Sequence, residues 1–293
     1  MNTNLFVSGT DTIVQIFDPA LEKKTAGLCD LIIAIENSSF QIALLEKKTN
    51  RFLALEVFNF EMTEDFNWKD YFENISGKST ILKNYEFSKV KICLASLQFT
   101  LVPESLLHPG DEQTYFKMNF KNHSNLEVKH SHINVFSLFT VYGIDRELQA
   151  VLTHLFQDPK IIHHSEILLH SILRIGRNDS NKKLLLNIRK NDIDILIAEG
   201  KKVILLNSFN RKSEEDVLYY LLFTCEQLNI DTESISVYLS GEIEPESALY
   251  KLLYKYIRKI TFVNHDRTLS FGENFDEIPA NFYYTLFNLP LCE

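Results

Sequence analysis

The sequence predicts an α/β protein built from two consecutive copies of one structural unit. Two apolar segments joined by a four-residue turn occur at 31–44 and again, without a gap, 153 positions later at 184–197. The elements that follow recur in the same order, β-β-β-α-β-α-β-α. About 44 additional residues occur only in the first copy, between its fourth strand and its second helix. Such self-similarity across the chain indicates an internal duplication.

Each copy begins with an antiparallel hairpin and a third strand. The segments are short apolar runs between polar turns, which is typical of buried strands. They are 31–35, 40–44 and 52–59 in the first copy, and 184–188, 193–197 and 203–210 in the second. The hairpin turns are 36–39 and 189–192. We therefore expect the same three strands at the start of both copies.

An amphipathic helix follows the third strand in both copies. Its apolar residues recur at i, i+3, i+4 and i+7, the spacing of one helical face. They are Trp68, Tyr71, Phe72 and Ile75 in the first copy, and Leu218, Leu221, Leu222 and Cys225 in the second. Ser213 is a suitable N-cap for the second of these helices, because three acidic residues follow it and the helix dipole favours carboxylates there.

The fourth strands alternate apolar and polar residues, with Val90, Ile92 and Leu94 matching Ile235, Val237 and Leu239. Gly241 therefore lies at the exit of the second copy's fourth strand, where the first copy has Ser96. The second helices cover 148–156 and 249–257, and we expect them to begin at Asp145 and Pro245.

A fifth strand and a closing helix complete each copy. The strands are 160–163 and 260–263, and the helices are 165–173 and 280–289. We expect mixed five-stranded sheets in two domains, 1–176 and 177–293. The insertion, at about 97–143, contains two strand-like segments around a polar stretch. It predicts a small αβ subdomain within the first domain.

Composition limits the functions that the chain can have. The net charge is −9, which argues against sequence-independent binding to nucleic acid or to an anionic membrane. The four cysteines are scattered without a CxxC pair, as expected of core residues in a reducing compartment. No apolar run approaches the ~18 residues of a membrane span, and the N-terminus lacks signal-peptide features. We expect a cytoplasmic protein.

The element order resembles two tandem ribonuclease-H-like domains, the architecture of the actin, sugar kinase and Hsp70 superfamily. The segments 99–103, 215–222 and 252–257 more closely resemble those of an uncharacterised bacterial family with an actin-like ATPase fold. The position of the insertion is also similar to that in the actin-like platform proteins of type IV pilus and type II secretion systems. This second resemblance implies a protein partner that binds through the insertion.

The resemblance to actin-like ATPases also implies where a nucleotide would bind. Those ATPases place an Asp and glycines in the hairpin turns around the phosphates and Mg²⁺. They also carry a glycine pair after the fourth strand of the second copy, beside the adenosine. In this sequence Glu36 stands in for the Asp, with Ser38 and Ser39 as candidate phosphate donors, and Gly241 is the one glycine at the adenosine position. The second turn carries Arg189 and Lys190 instead of a carboxylate, and neither turn contains glycine.

Two histidine-containing segments are further candidates. His130 and His132 would share one face of a strand, with His123 and Glu127 near in sequence, so they are candidate metal ligands. The competing interpretation is a solvated hairpin, which we favour. His163, His164 and His170 are expected to be half-buried residues at element boundaries. Motifs of P-loop enzymes, GxSxG hydrolases and HExxH proteases do not occur.

Two hypotheses follow from the sequence. In the first, the protein is a scaffold or interaction module that has lost the catalytic phosphate turns and needs no cofactor. In the second, it binds a nucleotide or is a slow ATPase, with Glu36, Ser38, Ser39 and Gly241 as the binding residues and ATP and Mg²⁺ as ligands. The chain reversal between strand and helix is a sufficient structural reason for Gly241, so we favour the first hypothesis. The sequence does not identify the oligomeric state.

Overall fold

The computed structural model describes residues 14–21, 28–121, 123–175 and 181–292. The expected domain boundary at 176/177 lies outside these residues. The predicted strands and helices occur in the predicted order in both halves of the chain, with short additional elements at 14–17, 80–84 and 270–271. In the part of the chain covered by these ranges, no helix is both long and apolar enough to cross a membrane.

The elements of the first half begin with a short strand that was not predicted, β1, and end with the first closing helix, α5. They are β1 (Val14–Phe17), β2 (Cys29–Ile35), β3 (Ser39–Glu46), β4 (Arg51–Asn59), α1 (Trp68–Lys78), α2 (Thr80–Asn84), β5 (Val90–Leu94), β6 (Phe99–Pro103), α3 (Glu112–Asn119), β7 (Leu126–Ile133), β8 (Leu138–Asp145), α4 (Arg146–Leu155), β9 (Lys160–His163) and α5 (His164–Arg174).

The second half repeats the unit without the insertion. Its elements are β10 (Lys182–Ile188), β11 (Asp192–Glu199), β12 (Lys202–Asn210), α6 (Glu214–Gln227), β13 (Ser236–Gly241), α7 (Ala248–Tyr254), β14 (Lys259–Phe262), β15 (Ser270–Phe271) and α8 (Tyr284–Asn288). Short 3₁₀ turns occur at 104–106, 134–136, 273–275 and 289–291.

Both main sheets are mixed, as predicted. The sheet of the second copy has five strands in the order β12-β11-β10-β13-β14. The sheet of the first copy contains the corresponding five strands, β4-β3-β2-β5-β9, and two more. β1 pairs antiparallel and β15 pairs parallel with β4, so the first sheet has seven strands instead of five. The short length of β1 and β15 explains why periodicity did not reveal them.

The insertion forms a three-stranded antiparallel sheet, β6-β8-β7, covered by α3. Phe116, Val102 and Val141 make a small core of its own. Ile133 is buried against the sheet of the second copy and α5, with Val135 and Phe136 packed beside it. The insertion is therefore the αβ subdomain that the sequence predicted, and it contacts both halves of the molecule.

The two closing helices lie between the main sheets. Leu168, Leu169 and Ile172 of α5, which belongs to the first copy, pack against Leu185 and Leu196 of the second copy's sheet. The C-terminal segment, which belongs to the second copy, packs on the sheet of the first copy. Its buried residues Leu286, Phe287, Leu289 and Cys292 join the first copy's core around Ile32 and Phe52. Each copy therefore supplies apolar surface to one face of the other copy's sheet, while the opposite face of each sheet packs on a core of its own copy.

The observed helix starts show which helices the capping residues in the sequence predicted correctly. Asp145 and Ser213 cap α4 and α6 as predicted, and Ser213 forms a capping box with Asp216. The predicted start at Pro245 is wrong, because Glu246 has φ +64° and cannot continue a right-handed helix. α7 is capped by Ser247 instead. The predicted helix 280–289 is shortened to α8, because Tyr283 is also left-handed.

Candidate functional site

The two hairpin turns, 36–38 between β2 and β3 and 189–191 between β10 and β11, face each other where the halves of the molecule meet. The amide Nδ2 of Asn37 donates to Oδ2 of Asp192 across this boundary, at 2.7 Å. The two turns occupy the same place in their own copies, between the first and second strands of each hairpin. The Asn37–Asp192 contact therefore joins equivalent turns of the two copies. The site consists of these turns and the strand exits beside them.

The first turn is buried and hydrogen-bonded within itself. Glu36, Ser38 and Ser39 are 6%, 4% and 1% exposed. The Glu36 amide donates to the Ser39 carbonyl at 2.9 Å, and the Phe60 amide donates to the Ser38 carbonyl at 3.1 Å. The Ser39 hydroxyl accepts from Nε2 of Gln41 at 2.9 Å and lies 3.4 Å from Oε2 of Glu36. The hydroxyl of Ser39 is thus already committed inside the protein.

Arg189, from the second turn, holds the centre of the site. Its side chain is 3% exposed. Nε and Nη2 donate to the two carboxylate oxygens of Asp194 at 3.1 and 2.8 Å, a bidentate arrangement. Nη1 donates to Oδ2 of Asp192 at 3.1 Å, the same oxygen that Asn37 contacts. One guanidinium therefore joins β10, β11 and, through Asp192, the turn of the first copy.

The carboxylate of Asp194 accepts hydrogen bonds from several side chains, which together with it form the Asp194 cluster. Besides Arg189, its carboxylate accepts from Asn187 Nδ2 at 2.9 Å and from the Ser208 hydroxyl at 2.5 Å. His164, at the start of α5, places Nε2 3.1 Å from Oδ1 of Asp194 and so brings in the first copy. Burial alone would raise the pKa of Asp194, but Arg189 and His164 hold it well below its usual range. Asp194 is therefore ionised.

Sequence reasoning missed most of this cluster. Asp194, Asn187 and His164 were not identified as site residues, although Asn187 and Asp194 are buried polar residues beside the apolar runs of β10 and β11. A polar residue inside a strand buried on both faces needs a partner, and this was the available signal. The Asp194 partners come from β10, β12 and α5, which only the folded arrangement brings together.

Gly241 lies at the exit of β13, beside the second turn. It has φ +84°, and a Cβ at this position would lie 1.9 Å from the carbonyl oxygen of Ile188. Its amide donates to the Asn281 carbonyl at 2.6 Å, and Asn281 Nδ2 donates back to the Gly241 carbonyl at 2.8 Å. Close packing on β10 and the left-handed backbone thus require glycine here without reference to a ligand.

Glu36 faces a mixed set of charges. Burial raises its pKa to about 8, with Arg189 lowering it and Glu242, Asp194 and Asp192 raising it. Glu242 follows Gly241, and burial also raises its pKa while Arg211 and Lys190 lower it. Of the four predicted residues, Glu36 lies close enough to Arg189 for its pKa to be lowered by that cation, and Gly241 packs on Ile188 next to it. At neutral pH most Glu36 side chains carry a proton.

The histidines of the insertion share one face of β7, as predicted. His130 Nδ1 lies 3.1 Å from Glu112 Oε1, and His132 Nε2 lies 3.4 Å from Glu104 Oε2. Both rings contact Phe139, with His132 stacked on it at 4.4 Å. Among the described residues, no group of three or more His, Cys, Asp or Glu side chains has the geometry to hold a metal ion. Each histidine pairs with a separate carboxylate instead.

His163 and His164 are fully buried rather than half-buried. Nδ1 of His163 is 2.7 Å from the Ser165 hydroxyl, and its ring stacks on Tyr142 at 4.8 Å. Burial, together with neighbouring His164, lowers the pKa of His163 well below its usual range. His163 is therefore a neutral core residue, whereas His164 belongs to the Asp194 cluster.

Replacing Glu36 with Gln should remove part of the pH dependence of stability. A carboxyl whose pKa rises on folding binds its proton more tightly in the folded state, so its ionisation costs stability as pH increases. The cost begins near the usual pKa of 4.5 and grows until about 8. Between these limits the wild type should lose up to ~1.4 kcal/mol per pH unit relative to Glu36→Gln. Urea unfolding from pH 5 to 8 measures the difference. Parallel stability profiles for the two proteins would show that Glu36 keeps an ordinary pKa.

The fold of this chain is similar to those of known structures. A crystal structure of a Bacteroides thetaiotaomicron protein with an actin-like ATPase fold and unknown function is similar, with a TM-score of 0.76 and 22% identity. The match covers 93% of this chain and 99% of that protein. A chain of the PilM–PilN type IV pilus biogenesis complex is also similar, with a TM-score of 0.62 and 12% identity, covering 89% of this chain and 97% of its own. These similarities establish the actin-like fold.

Most of the chain matches the model of one protein family. No curated protein matches the chain. The family model of DUF3822, described as a protein of unknown function, matches residues 18–260. This region includes both hairpin turns, the insertion, the Asp194 cluster and Gly241. The chain is therefore a member of the DUF3822 family, with an actin-like ATPase fold.

Proposed function

We propose that this protein is a non-catalytic actin-like scaffold in which side chains, instead of a nucleotide, hold the two halves of the cleft together. The observation that carries the proposal is the buried Arg189 of the second hairpin turn, whose partners Asp192 and Asp194 contact Asn37 and His164 of the first copy. In related ATPases, according to the resemblance in sequence, these turns surround the phosphates. Here the guanidinium of Arg189 donates to Asp192 and Asp194, and Asp192 also accepts from Asn37 of the first turn.

The chemistry of the first turn supports the same proposal. A Mg²⁺ ion prefers ionised carboxylate oxygens and keeps several waters, so its site must be both charged and roomy. Glu36 is buried and its pKa is raised to about 8, which leaves it mainly neutral at pH 7. Without glycine in either turn, the backbone also lacks the freedom to wrap closely around a phosphate.

The alternative function is nucleotide binding or slow hydrolysis by Glu36, Ser38, Ser39 and Gly241, with ATP and Mg²⁺ as ligands. The fold is the observation in its favour, because Gly241 lies at the strand exit where related ATPases hold adenosine. Against it, the Gly241 amide already donates to Asn281, and Glu242 beside it would repel a phosphate when ionised. A ligand would have to displace contacts that now stabilise the fold.

Thermal unfolding with and without nucleotide separates the two functions. With millimolar ATP and Mg²⁺, we expect the melting temperature to equal that measured with Mg²⁺ alone. A ligand at ~100 times its Kd would add about 2.7 kcal/mol and raise the melting temperature by several degrees. ATP with EDTA is the control for effects of the nucleotide as a polyanion. A rise of several degrees that needs both ATP and Mg²⁺ would overturn the scaffold proposal.

The proposal also includes a protein partner that binds through the insertion. The similar PilM–PilN chain belongs to a complex between proteins, which supports a role in assembly. The insertion carries two strongly exposed apolar side chains, Met118 at 77% and Leu106 at 53%. Tyr115 links them, since it lies one helical turn before Met118 and its hydroxyl donates to the Leu106 carbonyl at 2.9 Å. An apolar protein surface of this kind favours contact with another protein.

Substituting this surface should remove the partner without unfolding the protein. Met118→Glu and Leu106→Glu place a charge on exposed positions, so the melting temperature should stay within about 2 °C of wild type. Affinity capture from the native cell extract, with quantitative mass spectrometry, should show a protein that wild type binds and both variants lose. Leu155→Glu, at a position 42% exposed on α4, is the matched control and should retain it. Identical captured sets for all four proteins would contradict binding through the insertion.

A cytoplasmic location and the absence of nucleic-acid binding remain part of this proposal. The four cysteines are buried thiols, which suits a reducing compartment. The net charge of −9 disfavours association with nucleic acid phosphates.

A further inference from the structure

The third strands of the two copies differ in what covers their outer edges. In the first copy, β1 pairs antiparallel with residues 54–57 of β4. In the second copy, β12 is the last strand of its sheet, and no other strand in the described part of the chain pairs with its outer edge. The same structural unit thus has a covered edge in one copy and an open edge in the other.

Burial agrees with an open edge along β12. Every residue of β12 is at least partly exposed, whereas seven of the nine residues of β4 are buried. Both faces of β12 are nevertheless occupied. Phe209 packs on the core that α6 covers, and Leu206 packs on the core shared with α5 and the insertion. The exposure therefore comes from the strand edge, where backbone groups have no partner strand.

The backbone of β12 keeps the form that accepts an added strand in the first copy. β12 has a register shift at Ile204, and β4 has one at Leu53, which is the equivalent position 151 residues earlier. β1 pairs with the four residues that follow this shift, and their counterparts in β12 are 205–208. A bulge often protects an edge strand from pairing, but in this fold the same bulge is compatible with an added strand.

The strand added in the first copy is also held by charge at its C-terminal end. Asp18 follows β1, and its Oδ2 accepts from Nη2 of Arg51 at 2.9 Å. Arg51 is the first residue of β4, and its counterpart at the start of β12 is Lys202, which is exposed. An acidic residue of the second strand lies opposite this cation in both copies, Glu46 in the first and Glu199 in the second. β12 thus offers an equivalent cation at an edge that no described strand covers.

Exposed aromatic side chains adjoin the same edge. Tyr220 stacks on Phe209 of β12 at 4.4 Å, which places this flank of α6 beside the strand. Tyr219 and Phe223 continue the surface, are 59% and 46% exposed, and stack on each other at 5.8 Å. Exposed aromatic residues beside an unpaired strand favour a partner with apolar side chains.

We propose that β12 binds an extended segment of another protein, which adds to the five-stranded sheet as a further strand in antiparallel orientation. The segment has apolar side chains that pack on the aromatic flank of α6. It also has a carboxylate just after its last paired residue, which contacts Lys202. The first copy shows both features in β1, since Ile16 and Phe17 pack on its two cores and Asp18 follows them.

Charge argues against a second β12 strand as the occupant. Residues 200–212 contain four cations and no acidic residue. Antiparallel self-pairing would set the lysine pair at the start of β12 against Arg211 and Lys212, which follow its end. A segment with a carboxylate at its C-terminal end meets the opposite charge instead.

Peptide selection on the full chain tests the proposal. The probe is a displayed library of random nine-residue peptides, the length of β12. Wild type should enrich peptides in which apolar residues alternate along the sequence and an Asp or Glu lies near the C-terminus. The selected peptide, labelled with a fluorophore, should bind in fluorescence anisotropy. N-methylation of one alternating set of its residues should abolish binding, because only every second amide of an added strand donates to β12.

Charge exchange tests the position of the carboxylate. Lys202→Glu should weaken binding of the selected peptide about tenfold, and Phe223→Glu should weaken it in the same direction. A peptide with Lys in place of its C-terminal acidic residue should bind Lys202→Glu better than it binds wild type. Lys255→Glu and Tyr254→Glu, at exposed positions at the end of α7, are the matched controls and should leave binding of the selected peptide unchanged.

Cross-linking identifies the edge that pairs. Asn207→Cys adds an exposed thiol at the middle of β12, while the four native cysteines are buried. A chloroacetyl group on the middle residue of the selected peptide should react with this variant and not with wild type. Failure to enrich peptides with an acidic C-terminal end, binding that Lys202→Glu or N-methylation leaves unchanged, or a bound peptide that does not react at 207 would each overturn the proposal.

Discussion

The ion pair between Arg189 and Asp194 is the constraint on which the rest of the site depends. Two buried charges are costly to remove from water, and they persist only when their remaining hydrogen-bonding groups are satisfied. Asn187, Ser208 and His164 complete the shell of Asp194, and Asp192 takes the last guanidinium contact. His164 belongs to the first copy and the other partners to the second, so the shell of Asp194 is complete only when the two halves meet in the observed arrangement.

The packing of the closing helices also joins the two copies, through apolar contacts instead of charged groups. α5 covers the sheet of the second copy, while the C-terminal segment covers the sheet of the first. Opening the cleft would therefore expose apolar surface on both sheets as well as breaking the polar cluster. An actin-like fold that closes on a nucleotide needs a boundary that can open and reclose. In this protein the boundary contains core residues, which accords with a scaffold of fixed shape.

Most of the fold could be predicted from the sequence, because apolar periodicity and duplication support each other in every element. The predicted helix starts were wrong where one residue has a left-handed backbone conformation. Glu246 moves the start of α7, and Tyr283 shortens α8. For the site, the sequence showed that Arg189 replaces a carboxylate and that the turns lack glycine. It did not show the polar cluster around Arg189. Asp194, Asn187 and His164 meet only through the register of three strands and the position of α5, and no sequence pattern specifies these.

The free energy of unfolding of Arg189→Met tests the central claim most directly. If Arg189 holds the cleft, its loss leaves two buried aspartates without a cation and should cost ~3–5 kcal/mol. Replacing both aspartates with Asn in the same protein should recover part of this loss. Lys251→Met, which breaks the exposed pair with Glu246, is the control and should cost less than ~1 kcal/mol. A loss in Arg189→Met no larger than in the control would contradict the account.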